Sequence, residues 1–231
     1  MLWCLLLAFL AVPANADNLG TIRADCRMLS KDSGNSRRRF SDATLNGFIN
    51  EAQREVVMGL LPIQKSIQFE LVAGTTYYSL PADFIHIRRL TRDLLVLKEE
   101  SPASLDKRSE WQRVAGLPTI YFLSFASRTL VGFYPWPDNS SSTGTIRMDY
   151  SAQPAEMTAD GDFPFNGIVE FYGYHHMLGH YCAYRASLIY GMNDMAAVYK
   201  KDFDDDFKRM GETATARPNY TPGISPGTAP R

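Results

Sequence analysis

The sequence lacks the short motifs that mark two familiar kinds of phosphate-binding site. Its 231 residues contain no Walker loop and no Gly-x-Gly-x-x-Gly turn, so neither cradle is present. Carboxylates occur at Asp93, Glu99, Glu100 and Asp106, but their spacing predicts no pair within one pocket. Glycosidase-type acid–base chemistry, which needs such a pair, therefore has no support.

The chain also lacks an excess of charge of either sign. It carries 24 basic and 25 acidic side chains, a net charge of −1, so it has no general attraction to nucleic acid or anionic membranes. Aromatic residues are plentiful instead, with 13 Phe and 12 Tyr. A chain with 45% apolar residues can bury a true core. The aromatic side chains are more numerous than a core alone requires, and this surplus favours an oligomeric interface.

Long apolar runs are confined to the start of the chain. Residues 3–12 are apolar and Ala14-Asn15-Ala16 has the small-residue pattern of a cleavage site, so the segment 1–16 is typical of a secretory signal peptide. It is too short to span a bilayer as a helix. The positively charged beginning of such a leader is missing, because no Lys or Arg precedes Arg23.

Two interpretations of this leader stay open. Secretion predicts a mature chain that begins near Asp17, with Cys26 and Cys182 available for one disulfide among the three cysteines. The alternative is translation from a downstream Val or Leu codon, for example at Val12 or Leu19, in which case segment 1–16 is a start-site artefact.

Helical periodicity predicts two helices in region 17–64. The apolar face of the first, short helix consists of Leu19, Ile22, Cys26 and Leu29. The second helix has Ser41 as its N-cap and Asp42 in its first turn, with Phe40 placed to pack on Leu45. Pro62 ends it. Its buried stripe is predicted to contain Leu45, Phe48, Ile49, Ala52, Val56 and Leu60.

Between residues 65 and 154 the apolar period becomes that of β-strands. Ile67, Phe69 and Leu71 alternate with other residues, and the turn Gly74-Thr75 predicts that segment 76–80 returns as a hairpin partner. Further strands are predicted at 84–90, 94–98, 120–125, 129–134 and 145–150, with a short helix at 104–111 capped by Ser101 or Ser104. Several short strands of this kind favour an inserted antiparallel domain, either a sandwich or a barrel-like sheet.

Beyond Pro154 the period is again helical and predicts a helical hairpin over 155–212. One helix runs from about 166 to 190, Gly191 and Asn193 interrupt the pattern, and a second helix runs from Asp194 to about 212. The apolar face of this second helix contains Met195, Tyr199, Phe203, Phe207 and Met210. Its other face contains Asp202, Asp204, Asp205 and Asp206.

The last segment, 213–231, has four prolines, two glycines and few large aliphatic groups. Such a composition cannot bury enough surface to fold alone, and the extended segment would reach about 60 Å. The predicted fold is therefore α+β. N- and C-terminal helices pack together, an antiparallel β domain is inserted between them, and a flexible C-terminal arm follows.

A group of potential metal ligands lies on the first helix of the C-terminal hairpin, comprising His175, His176, His180 and Cys182. Histidines four residues apart on a helix can bind zinc. With the leader, they suggest an exported, zinc-dependent hydrolase as an alternative function. However, His176 is followed by Met177 instead of glutamate, and no acidic residue lies between Glu170 and Asp194. Core or interface histidines are the favoured interpretation, with no metal bound.

In their order and spacing these features resemble the head-to-tail adaptor (connector, or neck) proteins of tailed bacteriophages and gene-transfer agents. The similarity covers about residues 19–210 and leaves the leader outside, which favours a downstream start over secretion. The matching N-terminal segments are 19–25, 39–42 and 49–55. Those of the β domain are Tyr78-Ser79-Leu80-Pro81-Ala82-Asp83-Phe84, Leu105-Asp106, Trp111, Gly116-Leu117-Pro118 and Tyr134-Pro135-Trp136-Pro137. Those of the C-terminal region are Met157-Thr158-Ala159-Asp160, Phe163-Pro164, Tyr181, Ala186, Ala196-Ala197, Tyr199 and Phe203.

The resemblance implies a structural protein without enzymatic activity or a cofactor. Such adaptors form a dodecameric ring beneath the portal, in the neck of the virion, with helices around a DNA-conducting channel and a β-rich part facing the tail or nozzle protein. Their C-terminal arm docks onto the portal. The arm residues here would be Arg217, Pro218, Tyr220, Pro222, Ile224 and Pro226.

The acidic face of the last helix suits such a channel. Asp202, Asp205 and Asp206 would repel the passing DNA, so that it slides instead of binding. An ordinary solvated helix face is the alternative explanation of the same residues.

Overall fold

The computed structural model describes residues 17–32, 39–60, 63–124, 129–138 and 144–215. They form two compact units. One, the helical unit, contains the described residues up to Val56 and those from Ala155 onward; the other, the β unit, spans Val57–Pro154. The mixture of helices and mainly antiparallel sheets confirms the predicted α+β class. No helix in the described ranges is long and apolar enough to cross a membrane.

The helical unit contains α1 (Leu19–Leu29), most of α2 (Asp42–Leu60), α4 (His176–Ile189) and α5 (Asn193–Thr215). The N-cap predicted for α2 is present, since Ser41 Oγ accepts a hydrogen bond from Thr44 N at 3.1 Å. Asn18 caps α1 in the same way, accepting from Thr21 N at 2.9 Å. Each cap satisfies a backbone donor that the helix itself cannot.

The core of the helical unit is built on most of the predicted apolar residues, but Phe48 and Leu60 of α2 are only partly buried and Met195 of α5 is 38% exposed. α1 packs on α4, and α4 packs on α5. Cys26 of α1 and Cys182 of α4 form a disulfide, with Cα atoms 5.7 Å apart. The fully buried residues of α1 and α2 include Leu19, Ile22, Cys26, Leu45, Ile49, Ala52 and Val56.

The single helix predicted for residues 166–190 is wrong in its first part. The chain instead forms two 3-10 helices, Pro164–Gly167 and Val169–Tyr174, before α4 begins at His176. Phe165 and Asn166 have φ angles of 54° and 58°, a left-handed conformation that a right-handed helix cannot contain. Phe165 is fully buried, so packing decides this backbone against the local helical pattern.

In its described residues the β unit contains eight strands, a short α-helix and a 3-10 helix at Trp111–Arg113. In chain order the strands and the α-helix are β1 (Gln64–Glu70), β2 (Tyr77–Ser79), β3 (Phe84–Arg92), β4 (Leu95–Val96), β5 (Lys98–Glu99), α3 (Pro102–Leu105), β6 (Ile120–Leu123), β7 (Leu130–Tyr134) and β8 (Thr145–Ala152). One sheet has the order β1-β8-β3-β4 and the other has the order β2-β7-β6-β5. All neighbours are antiparallel except β5 and β6. Among the described strands neither sheet closes on itself, so of the two predicted alternatives the barrel-like one is wrong.

The predicted hairpin between β1 and β2 is also wrong, because the two strands lie in different sheets. β1 pairs with β8, placing Ile67 opposite Met148, while β2 pairs with β7, placing Tyr78 opposite Val131. The turn at Gly74 exists, with a φ of 75° that favours glycine. It directs the chain from one sheet to the other.

An aromatic cluster fills one part of the β unit. Leu105, Trp111, Ile120 and Phe122 are buried together, and Trp111 Nε1 donates to Asp106 Oδ1 at 2.8 Å. The predicted helix 104–111 is shorter and earlier than expected: α3 covers Pro102–Leu105 and is capped by Ser101.

Candidate functional surfaces

A cluster of histidines and carboxylates lies between α4 and α5. His176 Nε2 is 2.9 Å from Asp206 Oδ2, and His180 Nδ1 is 3.8 Å from the same oxygen. Arg209 Nη1 contacts the other Asp206 oxygen at 3.2 Å. The side chain of Asp206 is only 8% exposed. Sequence spacing placed it on the acidic face of α5, whereas the structure pairs it with α4.

The four potential zinc ligands are not brought together. The sulfur of Cys182 is bonded to Cys26. His175 is fully buried, with Nδ1 2.8 Å from the carbonyl oxygen of Asp17 and with the rings of Phe165 and Tyr172 beside it. Within the described ranges, no three His, Cys, Asp or Glu side chains are grouped as a metal site.

Burial is the first cause of the pKa shifts of His180, His175 and Asp25. It lowers the pKa of His180, with His176 adding to the effect and Asp202, Asp206 and Asp25 opposing it. Burial likewise lowers the pKa of His175. The pKa of Asp25 is raised by burial and by Asp17. Shifts that arise first from burial are typical of packed ionisable groups and do not by themselves indicate catalysis.

The exposed carboxylates of α5 are partly neutralised by lysines on the same helix. Lys200 Nζ is 2.6 Å from Asp204 Oδ1 and Lys201 Nζ is 3.3 Å from Asp205 Oδ2. Such i,i+4 pairs stabilise a helix modestly. Asp202 is half-buried on the same helix. Of the three predicted channel residues, Asp205 is thus the one that is exposed.

The predicted portal-binding residues, Arg217, Pro218, Tyr220, Pro222, Ile224 and Pro226, lie outside the described residues. α5 itself continues to Thr215, three residues beyond its predicted end. Thr213 Oγ1 is hydrogen-bonded to the hydroxyl of Tyr174 at 2.7 Å, and Ala214 is buried. The first residues assigned to the arm therefore belong to the helix.

One stretch of the C-terminal segment matches the nucleophile pattern Gly-x-Ser-x-Gly. It is Gly223-Ile224-Ser225-Pro226-Gly227 and lies outside the described residues. The pattern indicates a nucleophile only where a strand turns sharply into a helix. The surrounding segment contains four prolines, which disfavour both a strand and a helix. The sequence therefore does not predict a nucleophile here.

A family model described as SU10 adaptor protein matches residues 17–227. The chain belongs to this family. The match covers every helix and strand described above, and it confirms the resemblance inferred from the sequence. Among curated proteins, no sequence matches this chain. Membership identifies a structural adaptor of bacteriophages, a component of the virion that associates with other virion proteins.

One of the segments that resemble the adaptor proteins, residues 49–55, contains two polar residues on the buried side of α2, and the structure shows their role. Asn50 Nδ2 donates to Met157 O and Asn50 Oδ1 accepts from Met157 N, both at 2.9 Å. Gln53 Nε2 donates to Ala155 O at 3.0 Å, and its Oε1 accepts from Phe165 N at 2.7 Å. These amides fix the chain where it re-enters the helical unit.

Sequence reasoning did not find this role. The signal was present: two amides three residues apart lie within the apolar stripe of α2, where an unpaired polar group would be costly.

The adaptor's β unit carries two notable surface features, an exposed apolar hairpin tip and an open cleft of mixed lining. The first is the tip of the β3–β4 hairpin, where Leu94 is 97% exposed and Leu95 and Val96 are about half exposed at 49% and 54%. The second is an open cleft of about 760 Å³. Its lining is mixed: Met58, Pro81, Phe84, Ile85 and Leu123 are among its apolar residues, and its polar residues are His86, Ser124, Thr129 and Gln153. Neither feature was predicted from the sequence. The pattern of the hairpin indicates only an ordinary pair of strands.

Proposed function

We propose that this chain forms the homo-oligomeric adaptor ring, dodecameric as in similar proteins, that joins the portal to the tail in the neck of the virion. The observation that carries the proposal is the family match over residues 17–227, which includes the described residues of both units and the arm as far as residue 227. The β unit meets the tail or nozzle protein, and the ring has a structural role without enzymatic activity.

Genomic DNA passes through the centre of the ring in this proposal, without sequence-specific binding. A net charge of −1 supports weak interaction with the duplex, because binding to its phosphates needs a basic surface. Asp202 and Asp205 would line the passage and repel the phosphates. Asp206 contributes less, since it is engaged with His176 and Arg209.

The C-terminal arm is proposed to dock onto the portal. Tyr220 and Ile224 are its sizeable apolar side chains, so they are the natural anchors. A segment that orders on its partner can cover a large surface although it loses conformational entropy.

Portal binding by the arm is tested with two matched variants of the full chain. We expect Tyr220→Ser with Ile224→Ser to weaken co-purification with the portal protein at least tenfold, because the apolar anchors are lost. Thr221→Ala with Ser225→Ala changes the same segment without removing an anchor and should bind as the wild type does.

The assembly is checked by negative-stain microscopy of the wild-type chain, alone and with its portal protein. Closed rings support the proposal. A chain that stays monomeric at every concentration and does not bind the portal would contradict it.

A further inference from the structure

Strand β1 forms the longest exposed edge among the described strands. The edge strands are β1 and β4 in one sheet and β2 and β5 in the other. β1 covers seven residues, whereas β2 covers three and β4 and β5 cover two each. It contains no proline, and its pairing with β8 has no bulge. Natural sheets usually shorten, bend or interrupt such an edge, because its unpaired backbone groups can bind another strand.

The hydrogen bonds of β1 show which of its backbone groups face outward. Ile63 O accepts from Ala152 N at 3.0 Å, and Leu71 N donates to Gly144 O at 3.2 Å. Between these positions the pairing with β8 is regular. Backbone groups alternate in direction along an antiparallel strand, so the odd-numbered residues bond to β8. The outward residues are Gln64, Ser66, Gln68 and Glu70. The backbone groups of these four have no partner among the described residues.

The two faces of β1 differ in polarity. The side chains of the four outward residues are polar and exposed, and they share one face. Lys65, Ile67 and Phe69 lie on the other face. The Phe69 ring is 5.4 Å from the ring of Tyr78 and 6.3 Å from that of Phe133, both in the second sheet. Ile67 and Phe69 are only half-buried, so the apolar face stops short of complete coverage at this edge.

The C-terminal segment 217–226, which lies outside the described residues, has the same period of two in its sequence. Its odd positions hold polar or small residues, which are Arg217, Asn219, Thr221, Gly223 and Ser225. Its even positions hold prolines and the sizeable apolar residues, which are Pro218, Tyr220, Pro222, Ile224 and Pro226. Such alternation is typical of a strand with one buried face.

The spacing of the prolines suits one position in a sheet. A proline lacks the N–H that a ladder needs, so it disfavours a strand that has neighbours on both sides. The four prolines, at 218, 222, 226 and 230, are each four residues apart. In an extended chain they therefore remove donors from one side only, and the other side keeps every N–H. Such a strand fits a sheet edge, where its prolines face solvent and block the addition of a further strand.

We propose that segment 217–226 adds to β1 of the same chain as an antiparallel edge strand. Residues that bond across an antiparallel pair lie opposite each other on one face. The odd, polar positions of the segment then lie beside the outward residues of β1, while Tyr220 and Ile224 lie on the face of Ile67 and Phe69. A parallel strand would be offset by one residue and would place the polar positions on the apolar face.

The chain's own arm is the occupant because it is tethered. Residues 216–231 follow the last described residue, Thr215, and reach about 50 Å when extended. A segment on such a tether has an effective concentration on the order of millimolar, which a strand on another molecule does not reach at ordinary protein concentrations.

This contact goes beyond portal docking, because it gives the arm a position in the chain before any portal is bound. Tyr220 and Ile224 are the proposed portal anchors, and the strand covers them. The two contacts therefore exclude each other, and portal binding must release the strand from β1.

Hydrogen exchange of the full chain without portal protein tests the contact, with single-residue resolution from electron-transfer fragmentation. Thr221→Pro places a proline on the bonding side of the arm, so the four outward amides of β1 should exchange about tenfold faster than in the wild type. Thr221→Ala keeps the N–H and should exchange as the wild type does. The odd-numbered amides of β1, which bond to β8, should be equally protected in all three proteins.

Equal exchange of the outward amides in the wild type and Thr221→Pro would overturn the proposal. Protection that is lost when the wild type is diluted would also overturn it, because the strand would then come from another molecule. The portal is absent from this experiment, so its result is independent of the portal-docking proposal. Portal docking fails instead if the Tyr220→Ser, Ile224→Ser variant still binds the portal normally.

Discussion

At the scale of single residues, buried amides and histidines determine how the helical unit is held together. Asn50 and Gln53 replace the hydrogen bonds that the backbone at 155–165 would otherwise make with water. A buried polar group that has its hydrogen-bond partner adds little to the free energy of unfolding. Removal of one partner lowers that free energy much more. The same reasoning applies to His175, which is buried beside Phe165.

The Asn50 amide gives the first prediction. Asn50→Leu should lower the free energy of unfolding by about 2–4 kcal/mol, because the N–H and C=O of Met157 both lose their partner inside the core. Asn46→Leu, one turn earlier on α2, is the control. Its amide accepts a single part-buried hydrogen bond from Arg23, so a smaller loss is expected. Urea unfolding followed by circular dichroism measures both, and equal losses would refute the role of Asn50.

The buried histidines predict a loss of stability in mild acid. Burial holds the pKa of His175 and of His180 below the ordinary value of 6.5. The unfolded chain therefore binds these protons first, so the stability present above about pH 6.5 declines as the pH falls. Asp25 acts in the opposite direction at lower pH, because its pKa is raised.

Urea unfolding at pH 7.5 and pH 5.5 checks this prediction. The wild type should be less stable at pH 5.5, and His180→Gln should show a smaller difference between the two conditions. A difference of unchanged size in His180→Gln would show that this imidazole does not contribute. The neighbouring Asp202, Asp206, Asp25 and His176 remain in both proteins, but their interactions with the His180 ring are lost with it, so the change in the difference reports the imidazole together with these interactions.

At the scale of elements, the sequence predicts those parts whose determinants are local. α1, α2 and α5 follow from apolar faces, caps and a breaking proline, all within a few residues of each helix. The start of α4 could not be found this way, because the left-handed backbone at Phe165 is fixed by Gln53, 112 residues earlier. The partner of β1 was missed for the same reason, since β8 is far along the chain.

Two glycines provide a prediction at this scale, with opposite signs for the same substitution. A Cβ at Gly132 on β7 would lie 2.4 Å from the Phe122 ring, whereas one at Gly47 on α2 would meet nothing within 4 Å. Gly132→Ala should therefore destabilise the protein by about 1–3 kcal/mol through overpacking. Gly47→Ala should stabilise it by about 0.5–1 kcal/mol through helix propensity. Thermal unfolding measures both, and a neutral Gly132→Ala would show that Phe122 can move aside.

At the scale of the whole molecule, the class of protein was recognisable but the arrangement of its chemical groups was not. The order of weak motifs led to the adaptor family, which the family match confirms. The spacing of the sequence identified the two histidines four residues apart. Their partner Asp206 lies on the next helix, where the sequence pattern indicates only an acidic face. The arm residues 217–226 lie outside the described part of the chain, so their role stays a prediction.

The disulfide between Cys26 and Cys182 makes the chain a covalent ring closed over 156 residues, and the whole β unit lies within it. Cleavage of one peptide bond between residues 57 and 154 should therefore leave one covalently linked molecule, which has the mass of the intact chain on a non-reducing gel. Addition of a thiol should release two fragments. Separation of the fragments without reduction would show that the sulfurs are not joined, and an oxidised, nicked chain would retain both halves of its helical unit on one molecule.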